Sequence, residues 1–133
     1  MDNVVTFNEL PIVNSIVRDL FIEPYHRVAL EVAIIDEKED LMEFFELRFC
    51  RVLYFSMNIE SDKDYGTITS TSVSSESFYL LNILKYSRTN YVQKSPFYHF
   101  SLEMTSGLLD IVAEEFTFSL FKVLPIHGSC DTC

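Results

Sequence analysis

Acidic side chains are the most frequent groups in this sequence that could do chemistry, and many of them lie in two clusters. The clusters are Asp36, Glu37, Glu39, Asp40 and Glu43, and then Glu60, Asp62 and Asp64 with the adjoining Tyr65. Carboxylates in turns usually face water, but they can also form charge-assisted hydrogen bonds with the Lys and Arg side chains of a partner. A pair for general acid–base catalysis must converge across a cleft, whereas these carboxylates fall in predicted loops, apart from Glu43 on the strand that follows the first loop. We therefore take these residues as candidates for binding a protein partner.

The histidines give no recognisable catalytic signature. They are His26, His99 and His127, and no G-x-S-x-G segment accompanies them. A nucleophile needs a base and an orienting group, so a Ser/His/Asp triad would have to assemble from dispersed residues. We expect the histidines to be solvated or to lie on strand surfaces, and we expect no enzyme activity.

The C-terminal segment contains three potential zinc ligands, His127, Cys130 and Cys133. A structural zinc site needs four ligands, and chain ends usually fray. Three alternatives remain for this segment: a metal site, a redox-labile cysteine pair, or an unstructured tail, which we favour for residues 126–133. Calcium is not expected either, because the EF-hand-like start at 62–66 lacks the required glutamate and has Ser72 or Val73 there. We thus predict no metal and no cofactor.

Composition restricts the partners that this chain can bind. The 133 residues carry a formal net charge of −10, 48% of them are hydrophobic, and only three are glycine. Nucleic acid and anionic membranes need clustered cations, and phosphate-binding loops need glycine. The charge instead favours a cationic partner, or simply a well-hydrated surface. One domain over residues 1–125 fits this length.

The start of the sequence indicates a compartment. Met1, Asp2 and Asn3 do not resemble the basic region of a secretory signal, and no run approaches the roughly 18 apolar residues of a spanning helix. We expect a cytoplasmic protein with reduced cysteines, in which Cys50 is a small buried hydrophobe.

Alternation of apolar and polar residues predicts two hairpins. Residues 28–35 and 41–49 alternate with a period of two on either side of the acidic 36–40 segment, which would be the tip of the first hairpin. Residues 98–104 and 109–121 form the second, with Gly107 in the turn, and the adjacent Glu114 and Glu115 indicate a bulge.

Further segments complete the predicted fold. Residues 12–22 and 52–57 read as additional strands, residues 60–77 as the longest surface loop, and residues 78–87 as a strand, although helical spacing also fits them. Six to eight short antiparallel strands predict an all-β or mainly β protein, a two-sheet sandwich by preference and a closed barrel as the alternative.

This pattern resembles the small bacterial immunity proteins that neutralise toxic domains of contact-dependent growth-inhibition effectors. The resemblance is clearest over residues 28–49 and 98–121 and rests on strand pattern, acidity and size. It implies a tight one-to-one complex in which the immunity protein covers the active site of a toxin, often a basic nuclease, and it implies no catalytic residue. Tyr54, Tyr65 and Tyr79 are candidate anchors by residue type.

A β-barrel or sandwich that encloses a small apolar ligand is the competing function. The many Phe and Tyr residues on inward faces could line a cavity instead of filling a core.

A first prediction concerns the C-terminal segment. Truncation after Pro125 should leave cooperative thermal melting intact, because a frayed tail buries little surface. Circular dichroism on the truncated protein checks this. Loss of cooperative melting, or stoichiometric zinc in protein purified under reducing conditions, would contradict it.

Overall fold

The computed structural model describes residues 4–24, 26–59, 65–75, 77–86 and 97–126. The chain there forms a 3-10 helix, six strands and one α-helix. Their bounds are Val4–Glu9 for the 3-10 helix, Ile16–Glu23 (β1), Arg27–Asp36 (β2), Leu41–Ile59 (β3), Ile68–Ser74 (β4), Phe78–Tyr86 (α1), Tyr98–Met104 (β5) and Gly107–Pro125 (β6). The predictions for Glu60, Asp62, Asp64, His127, Cys130 and Cys133 lie outside the described residues.

The six strands form one antiparallel sheet in the order β1-β2-β3-β6-β5-β4. The predicted mainly β, antiparallel fold is confirmed. The sandwich was expected to have two sheets, whereas all six strands here share one continuous sheet that does not close into a barrel. Its edges nevertheless approach at one end through an isolated bridge between Ile16 and Thr67.

The first predicted hairpin is confirmed. Strand β2 pairs with β3 from Val28 opposite Phe49 to Asp36 opposite Leu41, so residues 37–40 form the turn. Val28, Leu30 and Val32 are buried on one face of the sheet, which we call the inner face. The period-two pattern thus placed the acidic segment at the tip of a hairpin.

The pairing of β3 with β6 is the longest in the molecule. It runs from Leu41 opposite Pro125 to Ile59 opposite Gly107. A separate third strand over 52–57 was predicted, with a break near Arg51. The chain instead continues through Arg51, which adopts a φ of 53°, and the ladder with β6 continues on both sides of it. Unusual backbone geometry therefore bends one strand instead of ending it.

The bulge predicted at Glu114 and Glu115 lies on the opposite strand. Leu53 is the extra residue, between the pairs Val52–Ala113 and Tyr54–Val112. Nε of Arg51 lies 2.9 Å from a carboxylate oxygen of Glu114, and its Nη2 lies 2.7 Å from one of Glu115. The adjacent carboxylates thus mark the place where the pair of strands bends, because one guanidinium binds both.

Aromatic rings fill the inner face. Phe7, from the 3-10 helix, lies 5.0 Å from Phe100, 5.3 Å from Phe116 and 6.0 Å from Phe49, measured between ring centroids. All four rings are fully buried. Edge-to-face contacts of this kind add to the stabilisation that burial provides. The 3-10 helix therefore closes the core over the sheet.

Two segments were assigned incorrectly from the sequence. Residues 78–86 form the helix α1, not a strand, because Leu80 packs with Phe97 and Val112 on the opposite, outer face of the sheet. Ser77 caps this helix by accepting a hydrogen bond from the Leu80 amide. Within the predicted 60–77 loop, residues 68–74 form β4, where the branched side chains of Thr and Val suit a strand.

Core substitutions test this packing. Leu47→Ala and Phe100→Ala should each lower the free energy of unfolding by about 2 to 5 kcal/mol, because both side chains are fully buried and truncation leaves a cavity. Denaturant titration measures the loss. Leu81→Ala, at a side chain that is 51% exposed, is the matched control and should change stability little. Parent-like stability of both core variants would refute the inner-face assignment.

Candidate functional site

The acidic turn, residues 36–40, is locally rigid. A carboxylate oxygen of Asp36 accepts hydrogen bonds from the backbone amides of Lys38, at 3.1 Å, and Glu39, at 3.2 Å. The backbone carbonyl of Asp40 accepts one from the amide of Ile126, at 2.9 Å. Glu37 and Glu39 are exposed. These bonds order the backbone of the turn and fasten it to the end of β6, so the backbone positions of Glu37 and Glu39 are fixed before any partner binds.

Exposed apolar side chains lie beside this turn. We call them the apolar strand ends: they are Ile35, Leu120, Phe121, Val123 and Leu124, and each is between 41% and 53% exposed. Strand pairing brings Ile35 and Leu124 to one face, because both lie in line with Met42, whereas Val123, which lies opposite Glu43, points to the other face of the same strands. Several neighbouring apolar side chains left in water commonly mark an interaction surface.

The acidic turn and the apolar strand ends form one end of the sheet, which we call the ribbon end. Strand β1 last pairs with β2 at Ala33, so beyond that residue the described sheet consists of β2, β3 and β6 alone. Phe121 is the extra residue of a bulge opposite Phe44, and Lys122 places its ammonium 5.5 Å from the centre of the Phe44 ring. The bulge turns the Phe121 ring toward Phe44, and that ring remains 53% exposed.

The predicted partner-binding residues do not all meet. Asp36, Glu37, Glu39, Asp40 and Glu43 share the ribbon end. Tyr65 lies at the other end of the long strands, where its carbonyl accepts a hydrogen bond from Ser106 and its ring packs against the core. Tyr65 therefore does not belong to the first cluster. Of the other candidate anchors, Tyr54 is 47% exposed, and Tyr79 lies in the first turn of α1 and is half-buried.

Arg48 and Arg51 form ion pairs with other carboxylates. Arg48 contacts Glu23 at 2.9 Å and Glu46 at 3.0 Å, and Arg51 bridges Glu114 and Glu115. These ion pairs lie away from the acidic turn, which has Lys38 and Lys122 as its nearby cations. The acidic character of the ribbon end is therefore a local property as well as a property of the whole chain.

A polar cluster that the sequence did not reveal lies beneath α1. Ser77 bonds His99, and His99 bonds Asp110. His99 and Asp110 are diagonal neighbours on β5 and β6, since His99 pairs with Val112 and Asp110 with Ser101. The alternation of the second hairpin could have placed His99 and Asp110 on one face, but nothing in the spacing pointed to Ser77.

Two titratable groups are perturbed by their surroundings. Burial raises the pKa of the half-buried Cys50 thiol, and the Glu115 carboxylate adds to the rise, so Cys50 is a poor nucleophile. Burial likewise raises the pKa of the Tyr79 phenol, which is hydrogen-bonded to Ser56 at 2.7 Å.

Within the described ranges, no group of three His, Cys, Asp or Glu side chains is arranged to hold a metal ion.

An open cleft of about 380 Å³ lies at the β1–β2 turn, with Ile22, His26, Arg27, Val52 and Phe55 in its lining. Ile22 is 68% exposed, so the cleft faces solvent. The inner face, which a ligand-binding barrel would keep hollow, is filled by aromatic rings instead.

Comparison of the chain with protein-family models, with curated proteins and with solved structures finds no match. In the part of the chain that the structure describes, neither helix has the length and apolar character needed to cross a lipid bilayer.

The apolar strand ends should contribute little to folding. Leu120→Ser combined with Leu124→Ser should change the free energy of unfolding by less than about 1 kcal/mol, because the two residues are already 48% and 41% exposed in the folded protein. Leu109→Ser, at a fully buried position of the same strand, is the matched control and should cost about 3 kcal/mol or more. Equal losses in thermal or denaturant unfolding would show that the strand ends are part of the core.

Proposed function

We propose that this protein is an immunity-type binding protein that neutralises a cognate toxin domain, a cationic nuclease, by covering its active site in a one-to-one complex. The observation that supports this most directly is the ribbon end, where the carboxylates of a hydrogen-bonded turn adjoin exposed apolar side chains. The binding function requires no catalytic residue, metal or cofactor. Because a nuclease toxin attacks nucleic acid inside the cell, the complex would form in the cytoplasm.

The carboxylates suit a nuclease groove. Such a groove binds phosphates through Lys and Arg side chains, and carboxylates on a rigid turn can occupy the same cationic subsites. Asp36 is already fixed by its bonds to two amides of the turn, so little additional ordering is needed on docking. The same charge disfavours nucleic acid or an anionic membrane as the partner.

The apolar strand ends would supply the contact that holds the complex together. Electrostatic steering accelerates encounter, whereas lifetime depends on desolvated side chains at the centre of an interface. Phe121 and Leu124 are exposed in the free protein and lie next to the acidic residues, so both contributions come from one surface.

Capture followed by an activity assay tests the function. The protein, immobilised, should capture a basic protein from its source cells, and that protein should degrade nucleic acid alone but not after one equivalent of this protein is added. A captured partner without nuclease activity, or one that remains fully active in the complex, would refute the proposal.

Association kinetics test the role of the acidic turn. Asp36→Asn, Glu37→Gln, Glu39→Gln and Asp40→Asn combined should slow association with the captured nuclease more than they speed dissociation, and the effect should shrink as salt rises. The matched control removes four charges elsewhere, by Glu9→Gln, Asp19→Asn, Glu31→Gln and Glu103→Gln. Stopped-flow measurements at several salt concentrations compare the two variants. If the two variants associate with the nuclease at equal rates, the effect comes from the net charge of the whole protein, and specific steering by this turn is excluded.

A further inference from the structure

Three polar side chains form a hydrogen-bonded chain on the outer face, beneath the start of α1. Oγ of Ser77 lies 2.7 Å from Nδ1 of His99, and Nε2 of His99 lies 2.6 Å from a carboxylate oxygen of Asp110. The three residues come from the α1 cap, β5 and β6, and they lie far along the sheet from the acidic turn. This cluster is not needed for the proposed binding function.

The partners fix the direction of each hydrogen bond. An ionised Asp110 carboxylate has no proton to donate and acts only as an acceptor. Nε2 of His99 therefore carries the proton, and Nδ1 is left as an acceptor. Ser77 Oγ already accepts a hydrogen bond from the Leu80 amide at 3.1 Å, and its own proton is free to point at Nδ1. The hydroxyl therefore donates to a base whose tautomer is held by a carboxylate. The same three groups activate the nucleophile of a serine hydrolase, where Nε2 faces the serine and Nδ1 the carboxylate; here the two nitrogens exchange these roles.

The surroundings favour this chemistry. The side chains of His99 and Asp110 are each 14% exposed. The Tyr79 ring stacks on the imidazole, with 4.5 Å between the ring centroids and 21° between the ring planes. Partial burial strengthens the Asp110–His99 bond relative to water, and the stacked ring holds the imidazole plane. Ser77 is partly buried, unlike the fully enclosed core residues, so part of this residue meets solvent.

We propose that Ser77, His99 and Asp110 form a second, catalytic site, in which Ser77 is a nucleophile toward small carboxylic esters. Ser77 is the nucleophile, His99 the general base, and Asp110 the positioning residue that fixes the imidazole. The site is independent of the ribbon end, so either proposal can stand without the other.

The reaction is acyl transfer to serine followed by hydrolysis. Ser77 Oγ attacks the ester carbonyl carbon while its proton moves to Nδ1 of His99, and the imidazolium then protonates the departing alkoxide as the C–O bond breaks. An alcohol leaves and acyl-Ser77 remains. Water then loses a proton to Nδ1 and attacks this acyl group; the bond to Oγ breaks, Oγ recovers the proton, and a carboxylic acid is released.

The first turn of α1 can stabilise the charge that develops on the carbonyl oxygen. The Leu80 amide is bound by the Ser77 hydroxyl, and the Leu81 amide by the Ser77 carbonyl, at 2.9 Å. The first amides of a helix, here those of Phe78 and Tyr79, have no intrahelical acceptor, and they adjoin the nucleophile. Positive partial charge at a helix N-terminus favours an oxyanion there.

Covalent labelling tests the nucleophile. A fluorophosphonate reagent added to the folded wild-type protein should give one adduct per chain, mapped by mass spectrometry to Ser77 and absent from Ser77→Ala. His99→Gln and Asp110→Asn should lower the labelling rate, and the hydrolysis of p-nitrophenyl acetate, by about 10²-fold or more. Ser72→Ala, which removes an exposed serine of β4, is the matched control and should label like the wild type.

Two results would overturn the proposal. One is the absence of an adduct on Ser77 in the wild type, which would make the chain of hydrogen bonds a device that only fastens α1 to the sheet. The other is equal labelling of Ser77 in wild type, His99→Gln and Asp110→Asn, which would make Ser77 merely accessible. If the His99 and Asp110 variants do not fold, Ser77→Cys decides instead: iodoacetamide should alkylate it at least tenfold faster than Ser72→Cys, and equal rates would refute activation.

Discussion

The continuous pairing of β3 with β6 is the interaction on which the rest of the structure depends. These strands are paired over their whole length, and each hydrogen-bonds a further strand, β2 on one side and β5 on the other. The β3–β6 ladder continues where the inward–outward alternation of side chains is interrupted. There Arg51 takes a left-handed backbone conformation, and its guanidinium binds both Glu114 and Glu115. Without this clamp, adjacent half-buried carboxylates would repel each other at the bend.

This long pair also separates the two candidate sites. At one end it extends past β1 as a ribbon that carries the acidic turn and the apolar strand ends. Toward the other end its outer face receives α1, and the hydrogen-bonded chain from Ser77 to Asp110 joins the helix cap to β5 and β6. Neither site draws a residue from the other, so one sheet offers a docking surface and a chemically distinct polar cluster.

Each site places polar side chains on a hydrogen-bonded backbone, but the two sites differ in how many of those side chains have partners. In the acidic turn, backbone amides hold Asp36 while Glu37 and Glu39 stay in water. Beneath α1, by contrast, all three side chains of the cluster are hydrogen-bonded to one another, and His99 and Asp110 are each only 14% exposed. The first arrangement suits recognition of a large cationic surface, and the second suits the transfer of one proton at one atom.

Local sequence patterns were enough to predict those strands that bury large apolar side chains on one face only. The large apolar side chains of 28–34 recur at every second residue and residues 98–104 alternate strictly, so their faces, their hairpin partners and the position of the acidic tip followed from a period of two. Tertiary contacts decided the rest. Residues 78–86 are helical because Val112 and Phe97 offer Leu80 an apolar surface, and the Ser/Thr segment 68–74 is a strand because β5 supplies its hydrogen bonds. The Ser77–His99–Asp110 chain and the exposed ribbon end arise from residues far apart in sequence, and local spacing carries no information about such convergence.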